Sequence, residues 1–333
     1  MTAESGVLGG LLDDLPGPDG SARDAVAARA ATVLRPVGAF ARLDAVAAWL
    51  AGWQGTDTPR VDRPHVLVFA ADHGVAVDGV SAYPAEVTAA MVGAIESGVA
   101  TISVLAREVG ATLELVDVGV GRPTGNIRVA DAMSTDEFDE AAAAGASAVE
   151  SVDADLLVVG EIGIGNTTAA AAVAASVLGG QAADWVGPGT GVVGAALAHK
   201  CDVVQAALDR VATVSPLAAL RRLGGRELAA MAGAVAAARR RRLPVVLDGF
   251  IATAAVAPLA VVRPGSLDHC IAGHCSAEPG HQRALETLGL DPLMRLDLRL
   301  GEGSGALVAV PIIRMAAAAV TDVATFEEWG LQQ

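Results

Sequence analysis

The chain has 333 residues, with 23 Lys and Arg against 38 Asp and Glu for a formal charge of −15, 53% hydrophobic residues and only 3% aromatic ones. That apolar fraction excludes a mostly disordered chain, and the length allows one large domain or two ordinary ones. The acidic balance excludes a sequence-independent nucleic-acid binder, which needs clustered Lys and Arg to neutralise phosphate.

In chain order, the N-terminus lacks a basic segment and Asp13-Asp14 interrupts its apolar run, so it does not read as a secretory signal. Amphipathic helices are expected over 22–34 and 42–53, with Pro36 and Gly38 punctuating between them. Residues 56–64 are polar and contain proline, which suits a linker. Short apolar runs of buried-strand length follow at 65–71, 113–118, 155–160, 244–248 and 269–273. Helical stretches lie between them, among them 85–95, 167–178, 195–211 and 227–240. Strands alternating with helices imply parallel βαβ units, and continuous apolar runs fit strands buried on both faces. After Gly305 an Ala-rich helix is expected to run through Ala319, then a short helix near 326–329. The expected fold is α/β: a parallel sheet covered by helices (Rossmann-like), residues 61–305, with a small helical domain formed from both termini, residues 1–60 with 306–333.

Three cysteines, Cys201, Cys270 and Cys275, are too few for a disulfide scaffold, so reduced thiols in a cytoplasmic protein are expected. The longest uncharged run, 162–183, is Gly-rich and carries Asn166, Thr167 and Thr168 near its start. A membrane span would need about 20 strongly apolar residues, so a soluble protein is expected.

Ligands of open α/β sheets bind beyond the carboxyl ends of the strands, so the segments after each strand are the candidates. The richest is Gly160-Glu-Ile-Gly-Ile-Gly-Asn-Thr-Thr168. Its glycines allow close backbone approach, Asn166, Thr167 and Thr168 can cap the following helix, and a helix N-terminus attracts phosphate. It lacks the lysine of a Walker loop and the spacing of GxGxxG. Gly187-Pro-Gly-Thr-Gly191 is a second loop of the same type. The only lysine, Lys200, is either a surface charge or part of this site. Glu302, set between glycines, is either a desolvated general base or an N-cap of the final helix. His269, Cys270, His274, Cys275 and His281 lie close in sequence but lack regular metal-ligand spacing. Asp72-His73 is an acid/base pair, a metal site or a loop clamp. Arg239–Arg242 reads as the basic last turn of a helix, favourable against its dipole.

Taken in order, the segments 70–92 (AADHGVAVDGVSAYPAEVTAAMV), 160–168, 187–191, 247–249, 273–281 (GHCSAEPGH) and 298–306 (LRLGEGSGA) closely resemble the nicotinate-nucleotide:dimethylbenzimidazole phosphoribosyltransferase family. The likeness runs from about residue 30 to the C-terminus, where LRPVGAFARLD (34–44) opens it. The resemblance implies transfer of phosphoribose from nicotinate mononucleotide to 5,6-dimethylbenzimidazole, giving α-ribazole 5′-phosphate and nicotinate with inversion at C1′. It implies no metal or organic cofactor and a homodimer; from the acidic charge and the absence of a strongly apolar run, no nucleic-acid or membrane partner is expected. By the same resemblance Glu302 is the general base and Glu161 a second carboxylate. Gly163, Gly165, Asn166, Thr167, Thr168, Gly189, Thr190, Gly191, Lys200, Ser276 and Glu278 hold the nucleotide. Ser81, Tyr83, Ala90 and Leu300 are placed at the base pocket. The chain departs from the family at Ala85 and Ala90, where glutamines are usual, at Cys275, and at Val193-Gly194. These changes open the alternatives of a purine or phenol acceptor and of a non-catalytic nucleotide-binding homologue. A metal-dependent hydrolase using Asp72, His73 and the His-Cys group is a third.

Overall fold

The computed structural model describes residues 6–331. Helices α1 (Val7–Leu11), α2 (Gly20–Ala30) and α3 (Ala41–Gln54) precede the first strand, β1 (Pro64–Ala71). Then come α4 (Val87–Glu96), α5 (Thr101–Val109), β2 (Thr112–Gly119), α6 (Thr135–Glu150), β3 (Leu156–Ile162) and α7 (Asn166–Leu178). Three helices follow: α8 (Ala195–Val211), α9 (Pro216–Leu223) and α10 (Arg226–Arg240). The chain continues with β4 (Val245–Leu247), α11 (Phe250–Val262), β5 (Cys270–Ala272), β6 (His274–Cys275), α12 (Pro279–Leu288), β7 (Met294–Arg295) and α13 (Ser304–Thr321).

Five strands form one parallel sheet in the order β2-β1-β3-β4-β5. The chain leaves β1 for the β2 edge, then crosses back to β3 on the other side of β1. Such a reversal opens a crevice at the carboxyl ends of β1 and β3, the usual ligand position in this topology. Strand side chains alternate between two cores. Leu67, Phe69, Leu157, Val159, Val245 and Leu247 pack with α6, α7, α10 and α11. Val66, Val68, Leu156, Val158 and Val246 face the opposite way, against Leu50 of α3, Ile102 of α5 and α13 from Ala306 to Ala317. The last buried turn of α13, at Val320, packs with Val26, Ala30, Ala47 and Ala51 of the N-terminal helices. Both faces are covered, which is why the strands read as continuous apolar runs.

Every expected strand forms, with ends moved by a residue or two. Two helical expectations are corrected. The helix expected over 22–34 ends at Ala30, because Val33 forms an antiparallel bridge with Thr325. The short helix expected near 326–329 is a hydrogen-bonded turn: Phe326 N–H is drawn to Thr32 O at 2.9 Å, and Gly330, at φ 75°, ends the coil at once. Two stretches, Val87–Val109 (which spans both α4 and α5) and Ser304–Thr321, are long and apolar enough to cross a membrane. The second is a sheet-packing core helix here, with over half of its length buried.

Candidate active site

A cavity of about 450 Å³ opens beyond the carboxyl ends of β3 and β4, bounded by the start of α7, the loop before α13, and α4. Two carboxylates stand in its wall. Glu161 is the last but one residue of β3, which is buried throughout, and is only 6% exposed. Its Oε2 accepts a hydrogen bond from Asn166 Nδ2. Burial, then the charges of Asp248 and Glu227, push its pKa well above the ordinary value; Asn166 opposes and Glu302 adds to the rise.

Glu302 enters from a different loop, and its backbone is strained. Gly301, Glu302 and Gly303 have φ of 89°, 64° and 83°, three left-handed residues in succession. Glycine takes this conformation freely; a residue with a Cβ, such as Glu302, pays about 1–2 kcal/mol. The strand beneath must also be bare: a Cβ on Gly160 would lie 2.3 Å from the Gly303 nitrogen. The Glu302 N–H then reaches the Glu161 carbonyl at 3.2 Å, which locks the two carboxylate-bearing segments together. Glu302 Oε2 is buried and has no partner among the described residues. Burial raises the Glu302 pKa, the Ile102 N–H at the start of α5 pulls it down, and Asp248 pushes it up.

The floor of the cavity is the start of α7, entered through Gly165 at φ 97°. Gly163, Asn166 and Thr167 line the cavity, as do Gly189 and Thr190 of the second Gly-rich loop. Lys200 does not line it. It is fully buried beneath both loops, where Nζ donates to Thr167 Oγ1 at 2.8 Å and to Gly187 O at 3.0 Å. Burial lowers its pKa to about 8, with Glu278 opposing. Glu278 lines the cavity and accepts from Gly189 N–H at 2.9 Å, with its own pKa raised by burial against the pull of Lys200. Ser276 lines the cavity and bonds His281 Nδ1 at 3.0 Å. Thr168 is buried inside α7, behind the floor, and Gly165 backs onto Val75. Gly191 is exposed and outside the lining.

At the mouth, Tyr83 and Leu300 line the cavity while more than half exposed. Ser81 lies outside and bonds Thr190 at 2.9 Å, tying the two loops. Ala90 is exposed on α4 and outside the lining; α4 contributes Val87 and Met91 instead. Sequence reasoning missed both, together with Phe250, Ile251 and Arg299. The Val87/Met91 pair had a readable signal, two apolar residues four apart on one helix face.

Of the remaining candidates, His274 lines the cavity and the others are structural. Asp72 Oδ2 accepts from Gly121 N–H at 2.7 Å, a loop clamp. His73 Nε2 lies 2.5 Å from Glu227 Oε1, both side chains fully buried beneath Gly163. His269 bonds Val235 O at 3.0 Å in the core, and burial lowers its pKa to about 3. His281 is held neutral in the same way, at about 3. Burial pushes the neighbouring Cys270 thiol far up. Among the described residues no three His, Cys, Asp or Glu side chains converge as metal ligands. Arg239 stacks on Trp53 at 4.2 Å, and Arg240 and Arg241 bond the carbonyls of Asp13 and Val152.

Residues 15–331 match a family model described as phosphoribosyltransferase. A nicotinate-nucleotide–dimethylbenzimidazole phosphoribosyltransferase of Novosphingobium aromaticivorans is 52% identical over 96% of this chain and 95% of its own. One from Cereibacter sphaeroides is 50% identical over 97% of this chain and 96% of its own. The crystal structure of CobT from Thermus thermophilus superposes with a TM-score of 0.90 at 40% identity, covering 94% of this chain and 99% of that one. A second Thermus thermophilus structure, of nicotinate-nucleotide–dimethylbenzimidazole phosphoribosyltransferase, gives a TM-score of 0.89 at 39% identity over 95% and 99%. With the family model spanning nearly the whole chain and half the residues shared with such relatives, the chain belongs to the nicotinate-nucleotide:dimethylbenzimidazole phosphoribosyltransferase family, a family of enzymes.

Proposed function

We propose that the protein moves phosphoribose from nicotinate mononucleotide to 5,6-dimethylbenzimidazole, releasing nicotinate and forming α-ribazole 5′-phosphate, with Glu302 as general base. The observation that carries this reading is the Glu302 carboxylate: buried in the cavity wall, strained, with Oε2 unpartnered among the described residues and a raised pKa. A base needs a free lone pair and a pKa near the working pH. Glu302 takes the benzimidazole N–H proton while the other ring nitrogen attacks C1′. The C1′–N bond to the pyridinium breaks, its electron pair neutralises the ring, and nicotinate leaves without needing a proton. Attack from the face opposite the leaving group inverts C1′.

The start of α7 supports a phosphate, through its N–H groups and the positive end of the helix. Arg299 at the mouth adds a cation. Glu161, raised well above its ordinary value, favours its proton until positive charge is placed beside it. The pyridinium and the oxocarbenium-like transition state supply that charge, and the ionised carboxylate then stabilises them. On the acceptor side, Val87, Met91, Tyr83 and Leu300 present apolar surface that suits a dimethylated ring edge. Ala90 stands outside that wall.

This reading takes the working enzyme to be a cytoplasmic homodimer; Val77 and Val99, 83% and 71% exposed on either side of α4, are apolar surface for a second copy to cover. Sedimentation equilibrium tests the dimer by mass. The reaction is tested by incubating the protein with nicotinate mononucleotide and dimethylbenzimidazole, adenine or a phenol, and following nicotinate release and the product by chromatography. Release dependent on dimethylbenzimidazole is expected. Release with another acceptor alone would move the acceptor, and nucleotide binding with no release would overturn the reaction.

A further inference from the structure

Helix α13 begins immediately after Glu302 and Gly303, and its own N-cap residue offers no side chain to the orphan N–H groups of the first turn. Asp248, 55 residues upstream at the end of β4, supplies it. Its Oδ2 accepts from Gly303 N–H at 3.1 Å and its Oδ1 from Ala306 N–H at 2.8 Å. The Asp248 residue is 2% exposed, so these bonds have no competition from water. His274 stands behind it, with Nε2 at 3.3 Å from Oδ1 and a 3% exposed residue. The imidazole occupies the space beside the helix: a Cβ on Gly305 would lie 2.2 Å from Nε2. One buried carboxylate, held by a buried ring, thus fixes the residue that follows a strained glutamate.

We infer that Asp248, braced by His274, is a positioning residue for phosphoribosyl transfer: it pins the start of α13 and so fixes where the Glu302 carboxylate meets the acceptor. The inference rests on the reading of Glu302 as base. A left-handed glutamate stays put only where its surroundings over-determine it. Gly301 and Gly303 permit the conformation, and Asp248 enforces it from the end of the neighbouring strand. The same carboxylate has a second effect, because its charge pushes up the pKa of both Glu161 and Glu302. A helix cap acting for stability alone would be replaceable at a cost in folding and none in the pH profile.

The test is Asp248→Asn in the full-length protein, assayed for nicotinate release against pH. The amide keeps the shape but removes the charge and turns an NH₂ toward a backbone N–H. The expected result is a kcat lower by about 10- to 100-fold, as for a base misplaced by a fraction of an ångström, with KM for nicotinate mononucleotide within about threefold. The acid limb of kcat should also move to lower pH. Asp248 disfavours ionised Glu302; removing its charge lowers the Glu302 pKa, and the ionised base is present above that pKa. Placed on Glu302→Gln, the same change should cost far less than in the wild-type background, since the positioning acts through Glu302 and only the effect of the charge on Glu161 is left. A wild-type kcat with an unmoved limb, while Glu302→Gln is inactive, overturns the positioning role and leaves the base standing. An equal loss in both backgrounds also overturns it. Full activity in Glu302→Gln defeats the base reading itself. If Asp248→Asn does not fold, His274→Gln and His274→Ala decide: the glutamine, which keeps a donor, should retain most of kcat, and the alanine should lose about tenfold at constant nucleotide KM. A wild-type kcat in His274→Ala overturns the brace.

Discussion

The floor and the rim of the cavity are built in opposite ways. On the floor the polar groups are committed to one another: Glu161 to Asn166, Glu278 to Gly189, Lys200 to Thr167 and Gly187, Asp248 to the start of α13. On the rim, Tyr83 and Leu300 are 55% and 54% exposed, and Arg299 is exposed beside them. A floor fixed before substrate arrives is what electrostatic stabilisation of a transition state requires, since no reorganisation then falls on the reacting state. A rim of exposed apolar side chains gains burial only when the base is bound, and gains it equally in ground and transition states. On the proposed reading, the contrast puts rate and stability on the floor and acceptor affinity on the rim.

The largest effect should come from Glu302→Gln. Loss of a positioned base costs about 10²–10⁴ in rate, and nucleotide affinity should stay within a few fold because the phosphate floor is untouched. Rapid-quench assays of nicotinate release, with binding measured by calorimetry, check both halves. A variant that loses nucleotide affinity along with rate would put Glu302 in the floor's binding role and break the division. Gly160→Ala should come next. Its Cβ would meet backbone on the facing loop, 2.3 Å from Gly303 N and 2.4 Å from Glu302 C, so the loop that carries Glu302 must move. We expect about 1–3 kcal/mol lost in urea unfolding, with kcat falling and the base KM unchanged.

These two residues also mark how much of the site was legible in the sequence. The central strands β1, β3 and β4 were readable because both faces of the sheet are covered there, which turns them into nearly uninterrupted apolar runs, whereas the edge strand β2 carries Glu114 and Asp117. The Gly-rich turns after β3 and before α13 were readable because close backbone approach excludes side chains, and glycine records that exclusion. The role of Lys200 was not readable: its partners Thr167 and Gly187 lie 33 and 13 residues away, and only the folding of α8 under both loops brings them together. The Asp248 clamp was hidden for the same reason, spanning β4 to α13. The bridge between Val33 and Thr325 joins chain ends that no local pattern connects, and so the helix expected at 326–329 gave way to a turn.

Lys200 gives a smaller prediction, on stability against pH. Burial lowers its pKa from 10.5 to about 8. Between those values the folded chain binds fewer protons at this site than the unfolded chain, so stability rises with pH across that window. The contribution is of order 1–3 kcal/mol. Lys200→Met should therefore show a flatter stability profile than wild type from about pH 8 to 10.5 in urea titrations. Parallel profiles would mean that Lys200 keeps its ordinary pKa, and that the floor is more hydrated than its hydrogen bonds suggest.

The smallest effects belong to the rim. Burying a whole leucine is worth about 1.5–3 kcal/mol, and Leu300 has about half of itself left to bury when a base arrives. Leu300→Ala and Tyr83→Ala should each raise KM for dimethylbenzimidazole by about fivefold, at unchanged KM for nicotinate mononucleotide, in steady-state assays with one substrate varied at a time. The two differ in one respect that makes the comparison informative. Tyr83 reaches the cavity from the segment before α4 and shares no backbone with the catalytic loop, so its loss reports burial alone. Leu300 precedes Gly301, one peptide from the strained glutamate. Any fall in kcat for Leu300→Ala beyond that for Tyr83→Ala measures how far the rigidity of the floor extends into the rim. If the two variants leave kcat alike, the left-handed glycine at 301 isolates the base from its exposed neighbour, and the boundary between rate and affinity lies within that single loop.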